Sequence, residues 1–227
     1  KKELAENCHP FAVEIKDFTK PVDIPAVDVP AGYTTLFVFP YSVGFQFSGF
    51  KNLAALNEAI TKRLKNLGVT TLLFMRHLEL IEYEIKIPGK EASGEYLLDA
   101  EPINDHCTRV SAIESEDDKT DESLSFIKFS MPIDSRVSTR TIDVAFTVAT
   151  DKEGKTTFQK AKNPYISVYF PTETESKLDF IVQGPFRTTP NRSSVPADEE
   201  ENEALAEQTA KLLRQSVLVL RDMGLLD

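Results

Sequence analysis

Between residues 80 and 150 the chain repeats one pattern: short runs in which apolar and polar residues alternate, each closed by a polar turn. Alternation with period two sends successive side chains to opposite faces of a strand. "GEYLLDA", "CTRVSAIES", "LSFIKFSMPI" and "TRTIDVAFTVAT" read this way, separated by "PGKEASG", "EDDKTDES" and "TDKEGKT". Such spacing predicts an antiparallel sheet with one wet face. "VTTLLFMRHLELIEYEIKI" is read as strand with a bend near Arg76 and His77. Farther on, "NPYISVYFP" and "KLDFIVQGPF" predict two more strands joined by the polar "TETES".

Helical periodicity interrupts this pattern at two places. In "KNLAALNEAITKRLKNLG" apolar residues recur at Leu53, Leu56, Ile60, Leu64 and Leu67, with Gly68 where a cap belongs. Lys62, Arg63 and Lys65 suit the negative end of that helix. The second helix is predicted from "DEEENEALAEQTAKLLRQSVLVLRDMG". Asp198 is its expected cap, Glu199, Glu200 and Glu201 suit its positive end, and Gly224 stops it. Leu205, Leu212, Leu213, Val217 and Leu220 are read as its buried stripe.

Before residue 50 the texture differs: "GYTTLFVFPY" is a continuous apolar run closed by Pro40, as in a strand covered on both faces. The expected organisation is a segment 1–50 belonging to a neighbouring domain and a domain 51–227. The predicted class is α+β, with a mixed, largely antiparallel sheet of about eight to ten strands and at least two flanking helices. The chain opens on "KKELAEN" without a starting Met and is read as a piece of something longer.

Composition excludes several functions. The 227 residues are 41% hydrophobic, enough for a sizeable core. A formal net charge of −10 argues against direct binding of nucleic acid. No run of about 18 apolar residues predicts a membrane span, and no signal peptide is visible. Two cysteines, Cys8 and Cys107, suggest a reducing, cytoplasmic setting. Each adjoins a histidine, His9 or His106, but adjacent ligands on a strand point apart, so no metal site is expected. His77 lies among apolar residues and is read as structural. Neither a G-x-S-x-G elbow nor a phosphate-binding G-x-x-x-x-G-K-[ST] or G-x-G-x-x-G loop occurs.

One stretch stands out against this acidic background. "FIVQGPFRTTPNRSSVP" begins as a strand and ends in a loop with Arg187, Asn191 and Arg192. Pro190 and Pro196 restrict the loop, which lowers the entropy cost of presenting a side chain. A guanidinium in such a place suits a phosphate. Spacing alone favours the plainer role, in which Arg192 pairs with the acids at 198–201 or stacks on Phe186.

"LDFIVQGPFRTTPNRSSVP" with "ISVYFPTETES" resembles the middle, or transducer, segment of Hsp90-like GHKL ATPases, closest to the bacterial and sacsin-type proteins. "GYTTLFVFP" resembles the last strand of the family's ATP domain, and "TTLLFMRHLELIEYEI" the first strand of its transducer. The resemblance implies a fold like ribosomal S5 domain 2. It implies that Arg192 reaches the γ-phosphate of ATP, with Asn191, Arg187 and Gln183 as lesser nucleotide-binding candidates. Ser193 stands where the chaperones have Glu. No D-x-G-x-G motif of the ATP pocket occurs in the chain. ATP and Mg²⁺ are therefore expected in the full-length protein only, held by an upstream domain of the same chain. A homodimeric parent is compatible with the resemblance. The competing expectation is a non-catalytic protein-interaction module.

Overall fold

Alternation carries through the middle of the chain as a ladder of paired strands. The computed structural model describes Gly32 and residues 52–226, save 118, 135–136 and 163, with the backbone alone for 119–121, 134 and 137–139. The expected strand "GYTTLFVFPY" lies, but for Gly32, outside the described residues, as do Cys8 and His9. The described elements are α1 (Leu53–Lys65), β1 (Leu80–Ile87), β2 (Lys90–Asn104), β3 (Cys107–Glu116), β4 (Lys119–Asp134), β5 (Val137–Thr150), β6 (Thr156–Phe158), β7 (Tyr165–Val168), β8 (Phe170–Glu175), β9 (Ile181–Gln183) and α2 (Glu200–Asp222).

All nine strands join one sheet, in the order β1-β2-β3-β4-β5-β9-β7-β8, with β6 beside the end of β5. From β1 to β5 each strand pairs antiparallel with the next. β9 inserts between β5, to which it runs antiparallel, and β7, to which it runs parallel. The class is α+β with a mixed, largely antiparallel sheet, as the alternation predicts. Among the described residues no helix is long and apolar enough to cross a membrane.

The period-two pattern divides the core into two layers. Ile142 and Val144 of β5 join Ile127, Phe129 and Val182 beneath Leu205, Leu212 and Leu220 of α2. Ala145 points the other way, with Phe126, Val110, Tyr96 and Ile181, against Val69, Leu72, Leu73 and Phe74. These last four are nearly solvent-free, and burying each such side chain stabilises by about 1.5–3 kcal/mol.

Several local expectations need correction. Residues 69–74 form turns, not a strand: the amides of Thr71, Leu73 and Met75 bond the carbonyls three residues back. Periodicity cannot separate a short apolar run in a turn from one in a strand. α1 ends at Lys65 with Asn66 as its C-cap; Gly68, at φ +84°, serves the turn beyond. Only Pro88 and Gly89 separate β1 from β2, and "KEASG" belongs to β2. "TETES" supplies most of β8 instead of a loop, because Tyr169 alone makes the turn between β7 and β8. α2 starts after Glu199, not Asp198, and no side chain caps it. Its buried face carries Asn202, Leu205, Thr209, Leu212, Ser216 and Leu220, while Val217 is half exposed.

Candidate functional site: an arginine loop between β9 and α2

β9 stops because its flanking ladders end there. Gly184 still donates to the Ser167 carbonyl at 3.1 Å. A Cβ at Gly184 would lie 2.8 Å from the Phe186 ring, so only glycine lets that ring fold back into the core. Phe186 is buried and therefore serves as the root of the loop.

Asn202, in the first turn of α2, clasps both ends of the loop. Its Oδ1 accepts from the Arg187 amide at 2.7 Å. Its Nδ2 donates to the carbonyls of Arg187 (3.1 Å) and Pro196 (2.7 Å). The side chain is buried, so these bonds are shielded from competing water. Sequence reasoning missed this residue. The available signal was a lone amide among the glutamates of "DEEENEALAEQ", on the face that faces inward.

Inside the clasp the backbone turns sharply. The Arg192 amide donates to the Thr189 carbonyl at 2.7 Å, closing a turn with Pro190 at its second position, where a fixed φ near −65° is favoured. Asn191 Oδ1 accepts from Thr189 Oγ1 (2.7 Å), Ser193 N (3.2 Å) and Ser193 Oγ (2.9 Å). The loop is also stitched to β8: Glu173 N donates to the Ser193 carbonyl at 2.7 Å, and Val195 N to Thr174 Oγ1 at 2.8 Å. These bonds hold Arg192 in the left-handed region at φ +59°, which is uncommon for a residue with a side chain.

The two arginines have different surroundings. Arg187 Nε donates to Glu201 at 2.8 Å, and its NH1 lies 3.6 Å from Glu199. Both partners are exposed, so the pairing contributes at most about 1 kcal/mol. Arg192 is exposed and makes no ion pair with a described carboxylate; a terminal nitrogen donates to the Val168 carbonyl at 3.2 Å. The acids at the start of α2 thus face Arg187, five residues short of Arg192. The ion pairing considered for Arg192 is made by Arg187.

Gln183 is not brought to this loop surface. It is 2% exposed, and its Oε1 accepts no hydrogen bond. It stands directly across from Asp143 of β5, so the two share the inner face. Asp143 accepts from Thr141 Oγ1 at 2.9 Å, and Arg76 reaches that same hydroxyl at 3.1 Å. Burial pushes the Asp143 carboxyl above its ordinary range, against hydrogen bonds from Ser130 and Thr141 and the charges of Lys128 and Arg76. Burial likewise pulls the Lys128 ammonium down; it donates to the Leu73 carbonyl at 3.2 Å. This cluster also escaped the sequence reading. Its trace is the appearance of Lys128 and Asp143 at positions whose parity places them with Phe126 and Ala145.

Among the described residues no three of His, Cys, Asp and Glu are grouped as metal ligands. Cys107 is buried in the α2-side core, and burial raises its thiol to about 11, which leaves it protonated and unreactive near neutral pH.

Comparison with protein-family models, with curated proteins and with solved structures finds no match to this chain.

Proposed function

We propose that this chain is the middle segment of an Hsp90-like GHKL ATPase and that Arg192 meets the γ-phosphate of ATP. The nucleotide and its Mg²⁺ are held by a separate nucleotide-binding lobe, since the chain carries no D-x-G-x-G motif. The observation that supports this reading is the division of labour in one loop. Arg187 faces the local acids, while Arg192 sits exposed on a stiff turn, touching a neutral carbonyl. A guanidinium so placed can exchange one neutral acceptor for a phosphoryl oxygen, a stronger charge-assisted bond.

Closure of the two lobes brings Arg192 to the transferred phosphoryl group, where it neutralises developing negative charge. The turn through Thr189, Pro190 and Asn191 keeps the side chain in place without induced ordering, which makes the interaction catalytic as well as binding. Asn191 shapes the turn through its Oδ1, Arg187 ties the loop to α2, and Gln183 lies beneath it in the sheet. The 227 residues alone have no turnover on this reading.

Arg192→Ala in the intact gene product is expected to slow ATP hydrolysis by about 10³-fold or more, with nucleotide affinity little changed. Arg192→Lys keeps the charge but loses the fork, and is expected to recover only part of the rate. Turnover at the wild-type rate in Arg192→Ala removes Arg192 from the mechanism and this function with it.

A further inference from the structure

Gln183 ends β9, and its side chain is left one bond short. Its Oε1 is buried with no donor among the described residues, and a buried amide oxygen in that state costs free energy. The hydroxyl of Ser167, its neighbour on β7, does not bond it. On its other flank the register sets Asp143 of β5 directly across, where paired residues have Cβ atoms about 4.5–5.5 Å apart. An ionised Asp143 is acceptor-only and would meet this oxygen with another acceptor. A protonated Asp143 has one O–H to donate.

The groups packed around Asp143 come from three elements. Ser130 stands across from it on β4, and Thr141 lies two residues before it on β5; both hydroxyls bond the carboxyl. Lys128 of β4 and Arg76, beyond the turns at 69–74, bring positive charge to it. The Lys128 ammonium is bonded to the Leu73 carbonyl, and Arg76 to the Thr141 hydroxyl. Hydroxyl donors and cations favour the carboxylate, yet burial outweighs them and holds this carboxyl above its ordinary range. Of all these groups, Asp143 is the one that becomes a donor by taking up a proton.

We infer that Asp143 holds a proton in the folded chain and donates it to Gln183 Oε1, forming a pH-sensitive latch between β5 and β9 where the arginine loop leaves the sheet. The proton is taken from water and returned to it, and no other group changes charge. Once Asp143 ionises it calls for a donor. The Gln183 carboxamide must then turn over to offer Nε2, or the two side chains part. Position gives the latch its reach. β9 has three residues, Ile181–Gln183, and pairs with β5 only through Asp143, Val144 and Ala145. Gly184 follows at once, bonded to the Ser167 carbonyl, and Phe186 roots the loop. The loop thus departs from a rung whose bonding depends on pH. This goes beyond the functional reading above and stands whether or not Arg192 meets a nucleotide.

Carbon-13 NMR of the aspartate carboxyls in the intact chain tests this, with the Asp143 signal assigned by its loss in Asp143→Asn. The Asp143 midpoint is expected above the ordinary 3.8. In Gln183→Leu it is expected to fall by about one pH unit, because a bond to the neutral form is gone. In the wild-type chain the Gln183 side-chain amide signals should shift with the Asp143 midpoint. Hydrogen-exchange protection factors at Gly184 and Arg187 should drop about tenfold as pH rises through that midpoint. They should stay level in Asp143→Asn, whose amide donates without titrating. An ordinary Asp143 midpoint, a raised one that ignores Gln183→Leu, or Gln183 signals indifferent to it overturns the proton bridge. Level protection in the wild-type chain overturns the latch. Should Gln183→Leu fail to fold, the wild-type titration of the Gln183 signals decides alone.

Discussion

Residues 69–76 and 184–199 are both irregular backbone laid against the same sheet, yet opposite means hold them. The first is an apolar plug. Val69, Leu72, Leu73 and Phe74 are buried, and its local bonds are three-residue turns. The second buries one ring, Phe186, as its root, and otherwise depends on directed hydrogen bonds from Asn202, Asn191, Thr174 and Glu173. Burial is non-directional and tolerates small shifts of position. Hydrogen bonds weaken steeply with angle and so fix orientation. A segment that only fills space can be a plug, whereas one that must aim a guanidinium needs the second construction.

The largest expected effect breaks the plug. Leu73 is 0% exposed, and Leu73→Ala should lower stability by about 3–5 kcal/mol in urea unfolding of the chain. Hydrogen-exchange protection in 187–197 should fall only as far as global stability falls. A selective loss of protection in that loop would show that the two regions share their support.

Breaking the clasp should cost somewhat less overall but more locally. Asn202→Ala removes three hydrogen bonds and leaves the Arg187 and Pro196 backbone groups without them. The expected loss is about 2–4 kcal/mol, with amides of 187–197 exchanging well before the sheet. If that loop stays as protected as β5, the clasp is not what holds it.

The smallest effect sharpens the contrast, because the plug also has polar attachments. Lys128 donates to the Leu73 carbonyl beside buried Asp143. The folded-state pKa of Asp143 is raised from an ordinary 3.8. Between 3.8 and that raised value the folded chain holds a proton the unfolded chain has lost. Stability from this group is therefore greatest below 3.8 and declines as pH rises through the window. Asp143→Asn should flatten that decline in thermal unfolding followed from pH 4 to 8. An unaltered slope would assign the pH dependence elsewhere.

Legibility in the sequence follows the range of the forces involved. The centres of β3, β4 and β5 appear where alternation places them, because each residue's face depends only on its parity, although β4 begins at Lys119, inside the expected turn "EDDKTDES". α1 appears because apolar residues recur every three or four positions. Errors gather where a neighbour decides. "TTLLFM" has strand composition but plugs the core, and "TETES" has loop composition but pairs with β7. Val217 fits an apolar stripe by type, yet the face of α2 that meets the sheet runs through Asn202, Thr209 and Ser216. Gln183, Asp143 and Lys128 were invisible as a group because they come from three strands.

The candidate loop shows the same division at the scale of single side chains. By itself the sequence determined that a strand ends at "FIVQG", that a proline-stiffened turn follows, and that two arginines and an acidic helix start lie within about one loop of each other. Only the tertiary structure decided which arginine meets the acids. Asn202 draws the start of α2 against Arg187, which brings Glu199 and Glu201 beside that side chain, while Thr174 and Glu173 hold the Arg192 end out along β8. Ion pairing depends on separation in space, and five residues of chain say little about that until other elements fix where each end lies.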